Sequence, residues 1–258
     1  MNKIHPTAIV SSKAKLGDNI VVGPYAIVED DVEIGNESSI GPHACIYNGA
    51  RISERVKIFQ SASISNVPQD LKFNNEKSYL FIDSDTTIRE CATLHRGTSE
   101  GGATHIGKNC LIMAYVHIAH DCEIGDEVIL SNGVQVAGHS TIENQVTIGG
   151  LTGVHQFSKI GQLTMVGACK LVSSDIPPYI LASGYPIRFA GLNSIGMRRR
   201  GFPNEAIATL KEIYKILYSS GLTFTKARDK IADDYKDNFY AQNVLEFISK
   251  SNRGIIRK

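Results

Sequence analysis

Eight histidines stand in this 258-residue chain. Six of them lie in its middle third, and five of these, His95, His117, His120, His139 and His155, fall close to loops or to one stretch of chain. Imidazole titrates near neutral pH, so it can take a proton from a hydroxyl and hand it on. His120 is followed directly by Asp121. A carboxylate there could fix the ring's tautomer, although neighbours on a strand ordinarily point to opposite faces. Cys122 comes next and carries a thiol that could act as a nucleophile. His95, His117 and His120 could also be imagined as zinc ligands. Which of these chemistries is open depends on what the fold brings together.

A six-residue repeat decides that. Every sixth residue from Ile4 to Ile64 is Ile, Val or Leu; the period resumes at Ile82, Ile88 and Leu94, and again from Ile106 to Val172. Small residues recur four positions after the aliphatic (Ala26, Ala44, Ala62, Ala92, Cys110, Cys122), and Gly recurs one position after it (Gly17, Gly35, Gly125). Neither a 3.6 nor a 2.0 period explains the pattern. It predicts a mainly β architecture, a parallel β-helix in which three hexads close one triangular coil of 18 residues around a stack of aliphatics. Gly is expected to serve the tight corners. Cys122 occupies the small inward position, which makes it a core residue rather than a nucleophile.

An 18-residue coil also stacks the chemistry. His120, Gly138 and Gln156 fall one above another, as do Asp121, His139 and Phe157. The patch predicts His120 as general base and the Gly138 N–H as donor to a developing oxyanion. Two insertions, 65–81 and 95–105, break the period and should project as loops on the binding face. The β-helix is expected over 1–176, ending at Pro177-Pro178 because paired prolines cannot continue a ladder. Residues 177–258 form a C-terminal helical domain, with helices from Pro203-Asn204, over Thr225–Tyr235 and over Phe239–Lys250.

Composition narrows the classes. The net charge is +1, but residues 1–176 carry 13 Lys/Arg against 19 Asp/Glu and the remainder 14 against 7, so the tail has a net of +7. A basic tail suits an acidic partner; nothing calls for nucleic acid. No apolar run is long enough to span a bilayer. Five cysteines, odd in number and never spaced CxxC, fit a reducing cytoplasm better than a disulfide framework.

Several segments carry a resemblance that covers essentially the whole chain. His117-Ile118-Ala119-His120-Asp121-Cys122, His95-Arg96-Gly97-Thr98, Val136-Ala137-Gly138-His139, Val154-His155-Gln156-Phe157, Gln69-Asp70-Leu71-Lys72 and Arg199-Arg200-Gly201-Phe202 resemble the acyl-[acyl-carrier-protein]–UDP-N-acetylglucosamine O-acyltransferases. These are hexapeptide-repeat enzymes that open lipid A biosynthesis. The resemblance implies a left-handed prism and a homotrimer with sites in the clefts between protomers. It implies a transfer of a (3-hydroxy)acyl chain from acyl carrier protein to the 3-hydroxyl of UDP-N-acetylglucosamine. No cofactor or metal is implied beyond the carrier's own phosphopantetheine.

Residue by residue, the resemblance implies His120 as base and Gly138 as oxyanion donor. It puts Asp70 and Lys72 near the sugar, and His95, His117, His139 and Gln156 at the sugar nucleotide or acyl donor. His155 would lie along the acyl-pantetheine path, and Asn193, Arg199 and Arg200 at the uridine and phosphates. Met165 and Ala168 would form an acyl-length ruler. Ile195 stands where some members carry a polar residue. The rivals are an acetyl-CoA-dependent sugar O-acetyltransferase and, remotely, a prism-type zinc carbonic anhydrase.

Overall fold

The computed structural model describes residues 1–258. Strands mostly two residues long follow one another at six-residue intervals, and each third strand joins the same sheet. Three sheets of 11, 9 and 8 strands result, parallel except for the last strand of the first, forming the three faces of a prism. Register confirms an 18-residue lap: His117 pairs with Gln135 and Gln135 with Gly153. Every hexad aliphatic from Val22 to Val172 is at most 4% exposed. The first coil is looser, since no coil lies below it, and Ile4 is 43% exposed.

The glycines do a different job from the one expected. The backbone reverses at the residue three positions after the aliphatic, and that residue is usually not Gly: Tyr25, Glu37, Arg55, Asp121 and His139 all have φ near +60°. The Gly one position after the aliphatic is needed for close approach between coils. A Cβ on Gly35 would sit 2.6 Å from the Ser53 carbonyl carbon, and one on Gly41 2.7 Å from Gln60 N. Left-handed conformations cost a non-Gly residue roughly 1 kcal/mol or more, which the ladder and the core must offset.

Both insertions leave the prism at the same edge, between the second and third sheets. Residues between Ser63–Asn66 and Tyr79–Ile82 form the first, and those between Thr93–His95 and Ala103–Ile106, one coil higher, form the second. His120, Gly138 and Gln156 occupy this loop edge on the next three coils.

The paired prolines do not end the ladder. Ile176 bridges Ile160 and a further strand, Ile180–Ser183, pairs in parallel with Met165–Val166 before an antiparallel partner, Arg188–Leu192, closes the sheet. Pro177 and Pro178 sit at a corner between strands, so no ladder hydrogen bond is lost there. Four helices follow: α1 (Ser194–Arg199), α2 (Asn204–Ser219), α3 (Phe224–Asp234) and α4 (Phe239–Ser249). α1, too short for its period to show in sequence, is capped by Asn193. Tyr214 of α2 donates to Pro178 O at 2.6 Å and Asn243 of α4 to Tyr179 Oη at 2.9 Å. These contacts seal the upper end of the prism, as an open β-helix end requires.

Candidate active site

His120 lies on the loop edge with its side chain 14% exposed, and the neighbouring Asp121 side chain is 2% exposed. Their side chains meet, His120 Nδ1 to Asp121 Oδ2 at 2.7 Å. The strand rule that would separate them does not apply, because Asp121 takes φ +57° at the corner and turns back beside its neighbour. Three further hydrogen bonds hold this residue. Thr98 donates its N–H to Oδ1 at 2.9 Å and its Oγ1 hydroxyl to Oδ2 at 2.7 Å, while the Asp121 N–H donates to Thr104 Oγ1 at 2.8 Å.

Desolvation pushes the Asp121 carboxyl up, but hydrogen bonds from His120 and Thr98 outweigh it and hold the pKa below the ordinary value. An ionised carboxylate only accepts. In the neutral His120 ring the proton therefore sits on Nδ1, which leaves the lone pair on Nε2. His139 stacks on Phe157 (4.8 Å between centroids) and brings Nε2 to 3.6 Å from Asp121 Oδ2.

Gly138 stands one coil above His120. A Cβ there would lie 2.7 Å from His120 Cε1 and 2.8 Å from Nε2, so only Gly lets the ring stay in place. The Gly138 N–H has no acceptor within the chain. His120 and Gly138 line a cavity of about 360 Å³ with His117, His155, Gln156, Gln69 and Leu171. A proton acceptor and an unpaired amide thus face one space, the arrangement that deprotonating a hydroxyl and holding an oxyanion requires.

The remaining expected residues divide. His95 is buried edge-on behind His117, at 4.9 Å between ring centroids. Burial, with the charges of His117 and His120 adding, pulls its pKa down to about 4. His117, lowered by burial and by His120, has its Nδ1 2.8 Å from Thr93 Oγ1. Asp70 caps its own loop, accepting from Lys72 N at 2.9 Å; Gln69, not Asp70 or Lys72, lines the cavity. Cys122 is fully buried, donates toward Ala137 O, and burial raises its pKa to about 12.

Asn193, Arg199 and Arg200 lie elsewhere. Asn193 Nδ2 donates to Leu163 O at 2.9 Å, and Arg200 pairs with Glu127. Leu163 and Glu127 belong to the edge between the third and first sheets. Met165 lies on the first sheet, and Ala168 is exposed at the corner after it. One chain therefore does not gather all the expected residues. Nor do His95, His117 and His120 converge as zinc ligands: the one group whose ligand atoms lie within 4.8 Å of one another is His120, Asp121 and His139.

Thr98 and Gln69 are site residues that spacing alone does not reveal, because both sit in insertions whose path no period governs. Both lie inside motifs that carry the resemblance.

Residues 175–256 match the family description "Udp N-acetylglucosamine O-acyltransferase; Domain 2", and residues 13–48 and 103–138 match bacterial transferase hexapeptide repeats. The acyl-[acyl-carrier-protein]–UDP-N-acetylglucosamine O-acyltransferase of Chlorobaculum parvum is 51% identical over 98% of this chain and 97% of its own. That of Thiobacillus denitrificans is 44% identical over the full length of both. The solved UDP-N-acetylglucosamine acyltransferase of Francisella novicida superposes with a TM-score of 0.96 at 37% identity, covering 99% of this chain and 94% of that one. The Bacteroides fragilis enzyme gives 0.96 at 38% identity, covering 98% and 100%. The shared fold is the left-handed parallel β-helix with a helical C-terminal part.

Proposed function

The chain belongs to the acyl-[acyl-carrier-protein]–UDP-N-acetylglucosamine O-acyltransferase family, whose reaction is the first step of lipid A biosynthesis, and from that premise we propose how its residues carry the transfer. His120 Nε2 takes the proton of the sugar 3-hydroxyl as the oxygen attacks the thioester carbonyl of a (3-hydroxy)acyl carrier protein. The Gly138 N–H receives the oxyanion. Collapse breaks the C–S bond, and the imidazolium returns its proton to the pantetheine sulfur. Asp121 holds the tautomer and offsets the imidazolium charge. No enzyme nucleophile, cofactor or metal enters this route. The single observation that carries the reading is the His120 ring, braced at Nδ1, beside an unpaired Gly138 amide.

His117, Gln156, His139 and Gln69 surround the sugar, with Asp70 and Lys72 closing from the first insertion and His95 packed behind His117. Asn193, Arg199 and Arg200 serve the uridine and diphosphate from a neighbouring protomer, since they occupy a different edge of their own chain. That requires a homotrimer, and exposed Tyr115, Leu151 and Leu171 supply apolar surface for it. His155 and Leu171 lead from the base to a second cavity of about 500 Å³ that includes Leu171, Arg188, Arg257 and Lys258 and no carboxylate side chain. The acidic carrier protein docks on that basic rim. Met165 and Ala168 limit acyl length. One methyl displaces roughly one methylene, about 0.8 kcal/mol, so Ala168→Gly shifts the chain-length profile and an unchanged profile contradicts this part. No helix is long and apolar enough to cross a membrane, and five free cysteines fit the cytoplasm.

The test incubates the enzyme with UDP-N-acetylglucosamine and carrier proteins of graded acyl length, or acetyl-CoA, and reads products by mass. Acyl transfer from carrier protein alone supports the reading; transfer from acetyl-CoA alone assigns the chain to sugar O-acetyltransferases. His120→Ala loses about 10²–10⁴ in rate at an unchanged melting temperature, and retained activity dismisses the base.

A further inference from the structure

The second insertion has no part in the chemistry above, yet it ends on the carboxylate behind the base. Thr98 is 6% exposed. It grips both oxygens of Asp121, N–H to Oδ1 and hydroxyl to Oδ2. Gly101 passes so close that a Cβ there would overlap Asp121 Oδ1, so the loop is shaped around the carboxylate.

The loop is itself tied down to the first insertion one coil below. Ser99 N donates to Glu76 Oε1 at 3.0 Å, and the other oxygen of Glu76 accepts from Asn74 N at 2.7 Å. Arg96 donates to Ser65 O at 3.1 Å and lies over the Phe73 ring at 5.5 Å. Thr98 therefore stands on a braced segment, not a free one.

We propose that Thr98 is a positioning residue for the acyl transfer: it fixes the Asp121 carboxylate, and through it the rotation of the His120 ring. A carboxylate held by the His120 contact alone could swing about its Cβ–Cγ bond and carry the imidazole off line. With both oxygens engaged by Thr98, the only remaining freedom lies along the Nδ1–H bond. Misplacement of a base by about 1 Å costs on the order of 10²-fold, so the brace bears on turnover rather than on substrate affinity.

This inference rests on His120 acting as base, and His120→Ala is assayed alongside to keep the two claims separate. Thr98→Val removes the hydroxyl at nearly constant shape; Thr98→Ser keeps it. In Thr98→Val, kcat should fall about 10- to 100-fold with the KM for UDP-N-acetylglucosamine within about twofold. Thr98→Ser should keep at least roughly half the wild-type kcat. In an Asp121→Asn background the same Thr98→Val change should add less than about twofold, since the brace then holds no carboxylate. A Thr98→Val enzyme of wild-type kcat, a Thr98→Ser enzyme as poor as Thr98→Val, or independent losses in the Asp121→Asn background each overturn the proposal. Full activity in His120→Ala would instead overturn the base.

Discussion

At the edge between the third and first sheets, the amides of Asp18, Lys108 and Asp126 donate to side-chain oxygens of Asn36, Asp126 and Asn144 one coil above, at 2.8, 3.0 and 2.8 Å. On the loop edge the same corner position is held by His120, Gly138 and Gln156. Gly138 has no side chain to bond the His120 amide below it, and Gln156 does not bond the Gly138 amide. The remaining edge has Pro6, Pro24 and Pro42 at this position on its first three coils, which have no N–H to satisfy, and Ala114, Asn132 and Gly150 on the coils level with the site, whose amides find no acceptor. One corner geometry thus has its donor quenched by Asn or Asp, deleted by Pro, or left free. A free corner amide is thus not peculiar to the loop edge; what sets that edge apart is a histidine beside the free amide and insertions that supply what the repeat cannot.

The difference is open to direct disturbance. Gly138→Ala has the largest expected effect after loss of His120 itself. Its Cβ displaces the ring and crowds the oxyanion, lowering kcat about 10²–10³-fold with the melting temperature near wild type. Asp121→Asn follows, at about 10²-fold, because an amide can present its NH₂ to the ring and reverse the tautomer.

Asn144→Ala, made on the quenched edge, frees the Asp126 amide. It should leave kcat within about twofold while costing roughly 1 kcal/mol, a fall of about 2–4 °C in melting temperature. A large activity loss there would erase the distinction between the edges.

The smallest effect is pH-dependent stability. His95 is buried neutral with its pKa down to about 4, against about 6.5 when unfolded. The unfolded chain therefore takes up a proton first, and stability declines as pH falls from about 6.5 toward 4. Asp121, held below its ordinary value, is stabilising above about 3.9 and loses that contribution as pH falls through its folded pKa. His95→Gln should flatten the upper part of this decline in thermal melts; an unchanged slope would show that His95 does not set it.

The repeat is readable because it records what each position faces. Ile118, Val136 and Val154 are buried by the same period that places His120, Gly138 and Gln156 on one edge. What the period cannot show lies where it stops. The grip of Thr98 on Asp121 crosses an insertion of undefined path. The corner reversal that turns Asp121 back beside His120 comes at a non-Gly residue with no sequence signature. The strand after Pro177-Pro178 is hidden because paired prolines count against a ladder, whereas these two sit at a corner between strands. Asn193 and Arg200 have a motif, but only coordinates show that they occupy a different edge from His120.

That separation gives the most direct test of the whole account. Co-express His120→Ala with an Arg199→Ala/Arg200→Ala variant under different tags, purify the mixed oligomers, and measure acyl transfer to UDP-N-acetylglucosamine. If the base and the diphosphate grip come from different protomers, every mixed trimer rebuilds both at one of its three clefts, and activity returns to about a third of wild type from two nearly inactive parents. Mixed oligomers no more active than their parents would contradict the shared cleft.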